Sequence, residues 1–387
     1  MKKEKIIVLG GGLVGGPMAL DLAADDRFTV TVADIDETAL EKLRTKDPAL
    51  AVIRVDLSDP VKVAQLVARH NLVLNAVPGF MGYSTLEAII EARRDVVDIS
   101  FFAEDPFSLN EKAVRAGVTA VVDCGVSPGL SNLLIGRAAD QLDHVDRILI
   151  YVGGLPEIRE WPFEYKAVFS PIDVIAEYVR PARYVENGQE VTRPALSDPE
   201  LIEFPGLGTL EAFNTDGLRS LAQTISCPNM KEKTLRYPGH IEKMALLRDT
   251  GFFGECEVRV NGSTFRPIDL TAALLFPKWK MDDGDVDITA LRVEVDGRKD
   301  SREVNHIFRM LDRYDPATET HSMARTTGYT ATAAVRMLAE GWYNQPGIAP
   351  PELIGRSEQA FGSIIGCLRE RRVICEEEVV GGSPILS

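Results

Sequence analysis

The stretch VLGGGLVGGPMAL at residues 8–20 decides the first part of the fold. Its segment Gly10–Gly15 fits the pattern G-x-G-x-x-G, with an apolar run before it and helix-forming residues after it. In such a turn, Gly10 permits the tight bend, Gly12 lets a pyrophosphate approach the backbone, and Gly15 lets the helix pack closely on the strand. The stretch therefore predicts a dinucleotide-binding turn between a strand and a helix.

The residues around this turn predict which dinucleotide binds. The amides of Leu13 and Val14, at the positive end of the helix, are predicted to hold the pyrophosphate. Asp34 lies 34 − 15 = 19 residues beyond the last glycine of the pattern, where a carboxylate binds the ribose hydroxyls and repels a 2′-phosphate. Asp36 is better suited to capping the next helix, and Asp56 either approaches the adenine or is a solvated loop acid. The sequence therefore predicts NAD rather than NADP.

Short apolar runs alternate with helix-like stretches through the first third of the chain. The predicted strands are Ile6–Leu9, Thr29–Ala33, Ala51–Val55, Leu72–Ala76, Val96–Ile99 and Val118–Val122. The predicted helices are Glu37–Thr45, Val61–Arg69, Ser84–Arg94 and Ser108–Ala116. This alternation predicts a parallel sheet with right-handed crossovers, and six strands predict an α/β domain with a Rossmann-type, doubly wound sheet.

The carboxyl ends of three of these strands are predicted to form a site, because ligands of open parallel sheets bind there. The segments are NAVPG at 75–79, DIS at 98–100 and DCGVSPG at 123–129. Ala76, Val77 and Pro78 are predicted to lie near the nicotinamide. Ser100 and Asp123 are candidates to accept hydrogen bonds from a substrate ammonium group, and ordinary capping of strands and helices is the alternative.

The second part of the chain has a different pattern. Its predicted strands are Arg147–Val152, Phe252–Asn261, Ile288–Asp296 and Asn305–Tyr314, after a helix at Leu130–Leu142. Residues 156–238 are rich in Pro, Gly, Asn and Asp and are predicted to form long loops that carry a binding function. We therefore predict three segments: a dinucleotide-binding domain at 1–128, an α+β substrate domain with a mainly antiparallel sheet at 129–325, and helices at 326–387 that return to the first domain.

Composition excludes several kinds of partner. The 387-residue chain has a formal net charge of −15, which argues against nucleic acid and against an anionic membrane surface. No apolar stretch is long enough for a membrane span. Five cysteines without a C-x-x-C pair predict no disulfide framework and no metal site, and favour the cytoplasm.

Longer segments resemble the saccharopine dehydrogenase-like family. Beside NAVPG, VVDIS and DCGVSPG, they are PFEYKAVFSPIDVIAEYVRPARYVENGQ at 162–189, GTLEAFNTDGL at 208–218 and TLRYPGHIEKM at 234–244. Within that family the resemblance is closest to the lysine 6-dehydrogenases. It implies an oxidoreductase that uses NAD to oxidise L-lysine at the ε-carbon, giving allysine, which cyclises to piperideine-6-carboxylate, with ammonia and NADH. It also implies a homo-oligomer and a small amino-acid substrate.

Two alternatives to lysine oxidation are kept. Saccharopine-forming reductases of the family read GLDPG where this chain reads GVSPG at 125–129. Ser127 lacks the charge of that aspartate, which speaks against saccharopine, yet saccharopine or a related adduct is the first alternative substrate. The second alternative is a non-catalytic NAD-binding sensor.

The resemblance also transfers candidate substrate contacts. Arg183 matches an arginine that faces the substrate in the family, and Arg236 and Thr215 are transferred in the same way. A substrate carboxylate is best bound by a forked guanidinium, so Arg183 or Arg236 is the predicted contact. A surface ion pair with Glu186 is the alternative role for Arg183.

Oxidation of an amine also requires a proton acceptor. A lysine amine has a pKa of about 10.4, so neutralising it at pH 7 costs about 4–5 kcal/mol. His240 is the first candidate base, because neutral imidazole is present at this pH, and a hydrogen-bonded core histidine is the alternative. Lys166 is a second candidate if burial lowers its pKa, with a solvent-facing lysine as the alternative, and Asp123 is the third. The sequence does not rank these three residues.

Overall fold

The chain forms two compact units. The computed structural model describes residues 3–168, 171–282 and 284–386. The first unit comprises residues 1–140 and 323–374, and the second comprises 141–322 and 375–387. The predicted divisions were after residues 128 and 325, and the first division moves because the helix that follows the parallel strands stays with the first unit.

The first unit contains a seven-stranded parallel sheet. With strands numbered in chain order, they are β1 (Glu4–Leu9), β2 (Phe28–Asp34), β3 (Ala51–Arg54), β4 (Leu72–Asn75), β5 (Asp95–Asp98), β6 (Thr119–Val121) and β17 (Gly347–Ala349). Their spatial order is β17-β6-β5-β4-β1-β2-β3. This is the doubly wound order predicted from the sequence, extended by one strand, so the predicted Rossmann-type fold is confirmed.

The register of this sheet brings the predicted strand ends to one edge. Leu9, the last residue before the glycine turn, pairs with Ala33 on one side and with Asn75 on the other. Asn75 in turn pairs with Asp98. The glycine turn and the ends of β2, β4 and β5 therefore lie at the same edge of the sheet.

Nine helices of the described residues belong to the first unit. They are α1 (Gly15–Ala23), α2 (Glu37–Lys46), α3 (Pro60–Val67), α4 (Gly79–Glu91), α5 (Asn110–Ala116), α6 (Leu130–Gln141), α11 (Ser322–Ala339), α12 (Pro351–Gly355) and α13 (Glu358–Glu370). Helix α4 begins five residues before the predicted start, directly after Pro78, because its first turn is built from glycines and large apolar residues that hide the helical pattern. Apolar side chains of the strands, α3, α4 and α5 form one continuous core.

The second unit contains a nine-stranded, mainly antiparallel sheet. Its strands are β7 (His144–Pro156), β8 (Ala182–Glu186), β9 (Gln189–Arg193), β10 (Glu200–Phe204), β11 (Gly208–Asn214), β12 (Met230–Arg236), β15 (Asp287–Lys299), β16 (Arg302–Arg313) and β18 (Glu376–Val380). Only β7 and β12 pair in parallel among the described strands of this sheet. The predicted second α+β domain with a mainly antiparallel sheet is confirmed.

Helices cover one face of this second sheet. They are α7 (Pro171–Val179), α9 (His240–Asp249) and α10 (Pro267–Trp279), while the short helix α8 (Leu221–Thr224) lies between β11 and β12 along the chain. Side chains of α7, α9 and α10 share one apolar cluster, whereas Leu235 and Tyr237 belong to a cluster with other strands. Because side chains of a strand alternate between faces, Glu232, Thr234 and Arg236 project together from the opposite side of β12.

Three expectations for the second part of the chain were wrong. The predicted strand Phe252–Asn261 is reduced to β13 (Val258–Val260), which pairs only with β14 (Ser263–Phe265) in a separate ribbon. Phe253 instead packs in the core beside α9, and the alternation that follows it lies on an exposed ribbon. Residues 156–238 are not long loops, since they include β8–β12, α7 and α8. The segment after residue 374 does not return to the first unit, since β18 pairs with β16.

No helix of the described chain has the length and apolar character that crossing a membrane requires. Within the same residues, no group of three or more His, Cys, Asp or Glu side chains is arranged to hold a metal ion.

Candidate active site

The glycine turn of the first unit is shaped to take a phosphate group. Gly10 has a φ of 98°, and a Cβ there would lie 2.6 Å from the Ala76 carbonyl oxygen. A Cβ at Gly15, the first residue of α1, would overlap the Gly10 carbonyl oxygen. A Cβ at Gly12 would meet no atom within 4 Å. Two glycines are thus required by the fold itself, while Gly12 leaves open space over the backbone, which fits a pyrophosphate.

The start of α1 is exposed to an anion. Val14 precedes the helix and cannot cap it, because its side chain has no acceptor atom. Leu13 is mostly exposed although it is apolar. The Gly16 amide donates to the Gly12 carbonyl oxygen at 2.9 Å, and Pro17 has no amide proton, so the amides that could face a phosphate are those of Leu13 and Val14 before the helix.

The acids that follow β2 and β3 have separate roles. Asp34 Oδ2 accepts a hydrogen bond from the Gly11 amide at 2.6 Å, and Asp34 Oδ1 accepts one from the Asp36 amide at 2.8 Å. These bonds fix the Asp34 carboxylate beside the glycine turn. Asp36 caps α2 by accepting from the Thr38 amide, as the sequence predicts. Asp56 is exposed and accepts from the Ser58 amide, which lowers its pKa, so it has the geometry of the solvated loop acid.

The ends of β4, β5 and β6 bring four polar side chains into the interior of the first unit. Ser100 and Asp123 were singled out from the sequence, and both are buried. Asn75 and Asp98, which were not, lie with Ser100 in one hydrogen-bonded group. They stand in the quoted segments NAVPG and VVDIS, where a polar residue that ends a buried strand was the available signal. Ala76 and Val77 continue the chain from Asn75 towards α4.

The turn GVSPG at residues 125–129 is closed by its glycines. A Cβ at Gly129, whose φ is 141°, would overlap the backbone of Gly125. The Gly125 amide donates to the Pro128 carbonyl oxygen at 3.0 Å. Ser127 stands inside this turn, and its Oγ receives a hydrogen bond from Ser131 Oγ at 3.0 Å. The position therefore carries an uncharged hydroxyl.

In the second unit, the buried acid Asp216 holds Arg183, which lies on β8. Its Nε donates to Asp216 Oδ1 at 2.9 Å and its Nη2 to Asp216 Oδ2 at 2.8 Å. The Arg183 side chain is 45% exposed, while that of Asp216 is 7% exposed. Glu186, the partner expected for a simple surface pair, contacts Arg193 instead. Arg183 is therefore an oriented and accessible guanidinium, which suits a substrate carboxylate.

Asp216 belongs to a turn that is fixed by a second buried acid. The Thr215 hydroxyl donates to Glu232 Oε2 and also contacts Thr234 Oγ1 at 2.9 Å. Gly217 packs so closely on Glu232 that a Cβ would lie 2.5 Å from its Oε2 atom. Burial raises the pKa of Glu232 to about 8. Thr215, a predicted substrate contact, therefore holds this turn, and neither Glu232 nor Asp216 was identified from the sequence.

Arg236 does not have the geometry of a substrate contact. It is 2% exposed, and its Nη2 donates to Glu177 Oε2 at 2.7 Å. Its Nη1 donates to the Leu235 carbonyl oxygen, and its guanidinium lies over the ring of Tyr165 with 4.6 Å between Cζ and the ring centre. The Arg236 guanidinium is bonded to groups inside the protein. The structure therefore supports a structural role for Arg236 and argues against binding of a substrate carboxylate.

His240 has the arrangement of a core histidine. Its Nδ1 lies 2.8 Å from the Phe163 carbonyl oxygen, and its Nε2 lies 2.9 Å from the Tyr178 hydroxyl. A neutral ring that donates from Nδ1 and accepts at Nε2 satisfies both contacts. Burial and the neighbouring Arg236 lower the pKa of His240 to about 3. His240 is therefore better described as a hydrogen-bonded core histidine than as the base.

Lys166 does not have the lowered pKa that a base would need. The side chain is mostly buried, and burial alone would lower its pKa. Asp285 at 3.3 Å, Asp282 at 3.4 Å and Glu160 at 3.6 Å from Nζ outweigh burial, so the pKa of Lys166 is raised. The lysine is neither solvent-facing nor a proton acceptor at neutral pH.

A parallel doubly wound sheet, an open glycine turn and an acid fixed at the end of β2 define the class of dinucleotide-binding dehydrogenases. Two family models match the chain: the saccharopine dehydrogenase NADP binding domain over residues 6–121 and the saccharopine dehydrogenase C-terminal domain over residues 125–374. The chain therefore belongs to the saccharopine dehydrogenase family and is an oxidoreductase of that family.

Curated relatives are distant. The saccharopine dehydrogenase [NADP(+), L-glutamate-forming] of Pyricularia oryzae is 27% identical over 272 residues, which is 66% of this chain and 60% of that protein. The mitochondrial alpha-aminoadipic semialdehyde synthase of Bos taurus is 27% identical over 259 residues, which cover 63% of this chain and 28% of that protein. The carboxynorspermidine synthase of Vibrio cholerae is 22% identical over 89% of this chain and 90% of its own length. The chain thus spans about a quarter of the bovine protein.

A solved structure shares the fold. The apo saccharopine dehydrogenase (L-Glu forming) of Saccharomyces cerevisiae has a TM-score of 0.79 and 19% sequence identity, and the match covers 97% of this chain and all of that chain. At this level of identity the match supports the architecture described above.

Proposed function

We propose that this protein uses a nicotinamide dinucleotide, preferentially NAD, to oxidise the secondary amine of a saccharopine-type adduct between two amino-acid skeletons. The reaction breaks the carbon–nitrogen bond after an imine forms and is hydrolysed. The observation that carries the proposal is that family models for saccharopine dehydrogenases match both the nucleotide-binding part and the remainder of the chain. The names of the Pyricularia oryzae and Saccharomyces cerevisiae proteins support this substrate class.

The residues described above support the two binding tasks. Gly12 and the amides of Leu13 and Val14 before α1 would hold the pyrophosphate, and Asp34 would hold the ribose hydroxyls. Arg183, fixed by Asp216, would bind a carboxylate of the substrate. When bound, the dinucleotide supplies the two-electron acceptor for the oxidation. The chain's own residues must orient the amine and take its proton.

A second candidate is the oxidative deamination of L-lysine at the ε-carbon. The neutral hydroxyl of Ser127 favours it, because an acidic residue stands at this turn in the saccharopine-forming reductases that the chain resembles. Lysine carries one carboxylate and saccharopine carries three, so the two substrates make different demands on cationic residues.

Initial rates decide between these candidates. Nucleotide reduction is measured with saccharopine and with L-lysine, each with NAD and with NADP. We expect the highest kcat/KM with saccharopine and NAD. A rate with lysine alone would support the second candidate, and nucleotide binding without turnover of either amine would indicate a sensor. Arg183→Ala should raise KM for the true substrate, and Arg266→Ala, an exposed arginine on another surface, serves as the control.

Asp34→Ser is expected to reduce the preference for NAD. Loss of charged hydrogen bonds to the ribose hydroxyls should weaken NAD binding by about 10- to 100-fold, and loss of the negative charge should weaken NADP binding much less. Dissociation constants for both nucleotides, measured by fluorescence or calorimetry, give the ratio directly.

Asp36→Ser is the matched control for Asp34→Ser. Asp36 is two residues away and caps α2, a task that serine also performs, so its replacement should leave both stability and the nucleotide ratio nearly unchanged. An unchanged ratio in Asp34→Ser would show that this carboxylate does not contact the ribose.

A further inference from the structure

A buried polar group at the carboxyl edge of the first sheet has no role in the binding tasks assigned above. It consists of Asn75 at the end of β4, Asp98 at the end of β5, and Ser100 two residues later. Asp98 and Asn75 are fully buried, and Ser100 is 3% exposed. A lone carboxyl group in such a place is costly, because burial disfavours its ionised form.

The hydrogen bonds of this group form a directed chain. The Ser100 hydroxyl donates to Asp98 Oδ1, and the Ser100 amide donates to the same oxygen at 2.7 Å. The Asn75 amide donates to Asp98 Oδ2 at 2.9 Å and to Ser100 Oγ at 3.1 Å. Asn75 Oδ1 is buried and has no hydrogen-bond partner within the described residues. Ser100, at 3% exposed, is the least buried of the three residues, and its hydroxyl proton points at Asp98.

The surroundings of Asp98 bring its pKa close to neutral pH. Burial raises the pKa of Asp98 to about 7, against the opposing effect of its hydrogen bonds with Ser100 and Asn75. Asp123, after β6, faces it and raises the pKa further, and the neighbouring Cys124 thiol has a pKa that burial raises. Helix α4 presents Gly82 to Ser100, with no charged group at that contact.

We propose that Asp98 is a positioning residue that takes up, through the hydroxyl of Ser100, the proton that the substrate nitrogen must lose before oxidation. This inference rests on the proposed function, because it assigns the proton acceptor for that same reaction. It also replaces His240 and Lys166, whose surroundings in the second unit do not suit a base.

The step is a balanced proton transfer. The N–H bond of the protonated amine breaks, and its proton forms a new bond to Ser100 Oγ. The original Ser100 O–H bond breaks at the same time, and that proton bonds to Asp98 Oδ1. The amine becomes neutral and Asp98 becomes a neutral acid, which later returns its proton to water through Ser100. Asn75 stays bound to both partners and keeps their oxygens aligned.

Asp98→Asn is expected to change the pH dependence of oxidation. Wild-type kcat/KM should rise with pH through the pKa of Asp98, about 7, because the ionised carboxylate is the active form. In Asp98→Asn, kcat/KM at neutral pH should fall by about 100-fold, and the rise should move about 2 or more pH units upward, towards the pKa of the free amine. The profile is recorded from about pH 6 to about pH 10 with the better amine substrate.

Two further variants separate a relay from a structural role. Ser100→Ala should show the same shifted profile, and the double variant should be no more than about threefold worse than either single variant, because the two residues act as a unit. Asp95→Asn is the matched control: Asp95 lies at the other end of β5 and accepts a backbone hydrogen bond from Thr119 at 2.8 Å. It should leave the profile unchanged.

An unshifted profile in both Asp98→Asn and Ser100→Ala, with only a uniform loss of rate or of stability, would overturn the inference. If neither amine is oxidised, the protonation of Asp98 can still be measured without turnover. The infrared carbonyl band of a buried protonated carboxyl group should appear in the wild type as pH falls through about 7 and should be missing in Asp98→Asn. If Asp98→Asn does not fold, the same band is followed in wild type and Ser100→Ala. Absence of such a band in the folded wild type would also overturn the inference.

Discussion

Replacing Arg236 by alanine is expected to lower the free energy of unfolding by about 3–5 kcal/mol. The change removes the partner of Glu177, whose pKa burial already raises, and leaves that carboxyl group without its 2.7 Å hydrogen bond. It also removes the cation above the Tyr165 ring and a contact of 3.3 Å to the Tyr178 hydroxyl. Tyr165 and Tyr178 are buried and the Glu177 side chain is 22% exposed, so water compensates for these losses only in part. Unfolding in urea followed by circular dichroism measures the difference.

An exposed arginine provides the comparison for Arg236. Arg266 contacts Asp269 at 2.6 Å, but both side chains are about half exposed, and Arg266→Ala should lower the free energy of unfolding far less than Arg236→Ala does. The double variant Arg236→Met with Glu177→Leu should recover much of the stability lost in Arg236→Ala, because it removes the buried Arg236 charge together with its partner. Unchanged stability with a raised KM in Arg236→Ala would restore the substrate-binding role that the sequence predicts.

The first unit was predictable because its signals are local. Strands covered on both faces are continuous apolar runs, so their positions and their parallel order follow from the sequence to within a few residues. The capping role of Asp36 was predictable for the same reason, since a capping position is defined by near neighbours. Helix α4 shows the limit, because the glycines of its first turn conceal where it begins.

The second unit was less predictable because its strands carry buried polar residues. Glu232, Thr234 and Arg236 alternate along β12 and face helices, whereas alternation of this kind is the ordinary mark of a solvent-facing side. The strands β8 to β12 were predicted as loops because residues 156–238 are rich in Pro, Gly, Asn and Asp. The exposed residues Val258 and Val260 show the converse, since a similar alternation occurs in a ribbon that belongs to neither large sheet.

The candidate site shows the same limit at the level of single residues. The sequence correctly supplies residue types that suit a base or a carboxylate contact, but it does not supply their burial or partners. His240 is satisfied at both ring nitrogens, and Lys166 is surrounded by carboxylates. Both facts depend on residues far along the chain. Asp98 was not singled out because an aspartate at a strand end is common, and the sequence shows neither the complete burial nor the nearby Asp123 that raise its pKa.

Replacing Gly15 by alanine is expected to abolish nucleotide binding and to destabilise the first unit. The added Cβ would overlap the Gly10 carbonyl oxygen, a backbone atom that cannot move without opening the turn between β1 and α1. We expect a loss of about 3 kcal/mol in the free energy of unfolding and a fall in NAD affinity of more than about 100-fold. Thermal unfolding and titration with NAD measure the two effects.

Gly12→Ala should separate binding from folding in the same turn. Its Cβ would meet no atom within 4 Å, so the change should alter stability by about 1 kcal/mol or less. The methyl group would nevertheless occupy the space through which a pyrophosphate approaches the backbone, and NAD affinity should fall by about 10- to 100-fold. A Gly12→Ala protein that binds NAD as tightly as the wild type would remove this turn as the phosphate site. A Gly15→Ala protein of wild-type stability would show instead that the turn relaxes around the added methyl group.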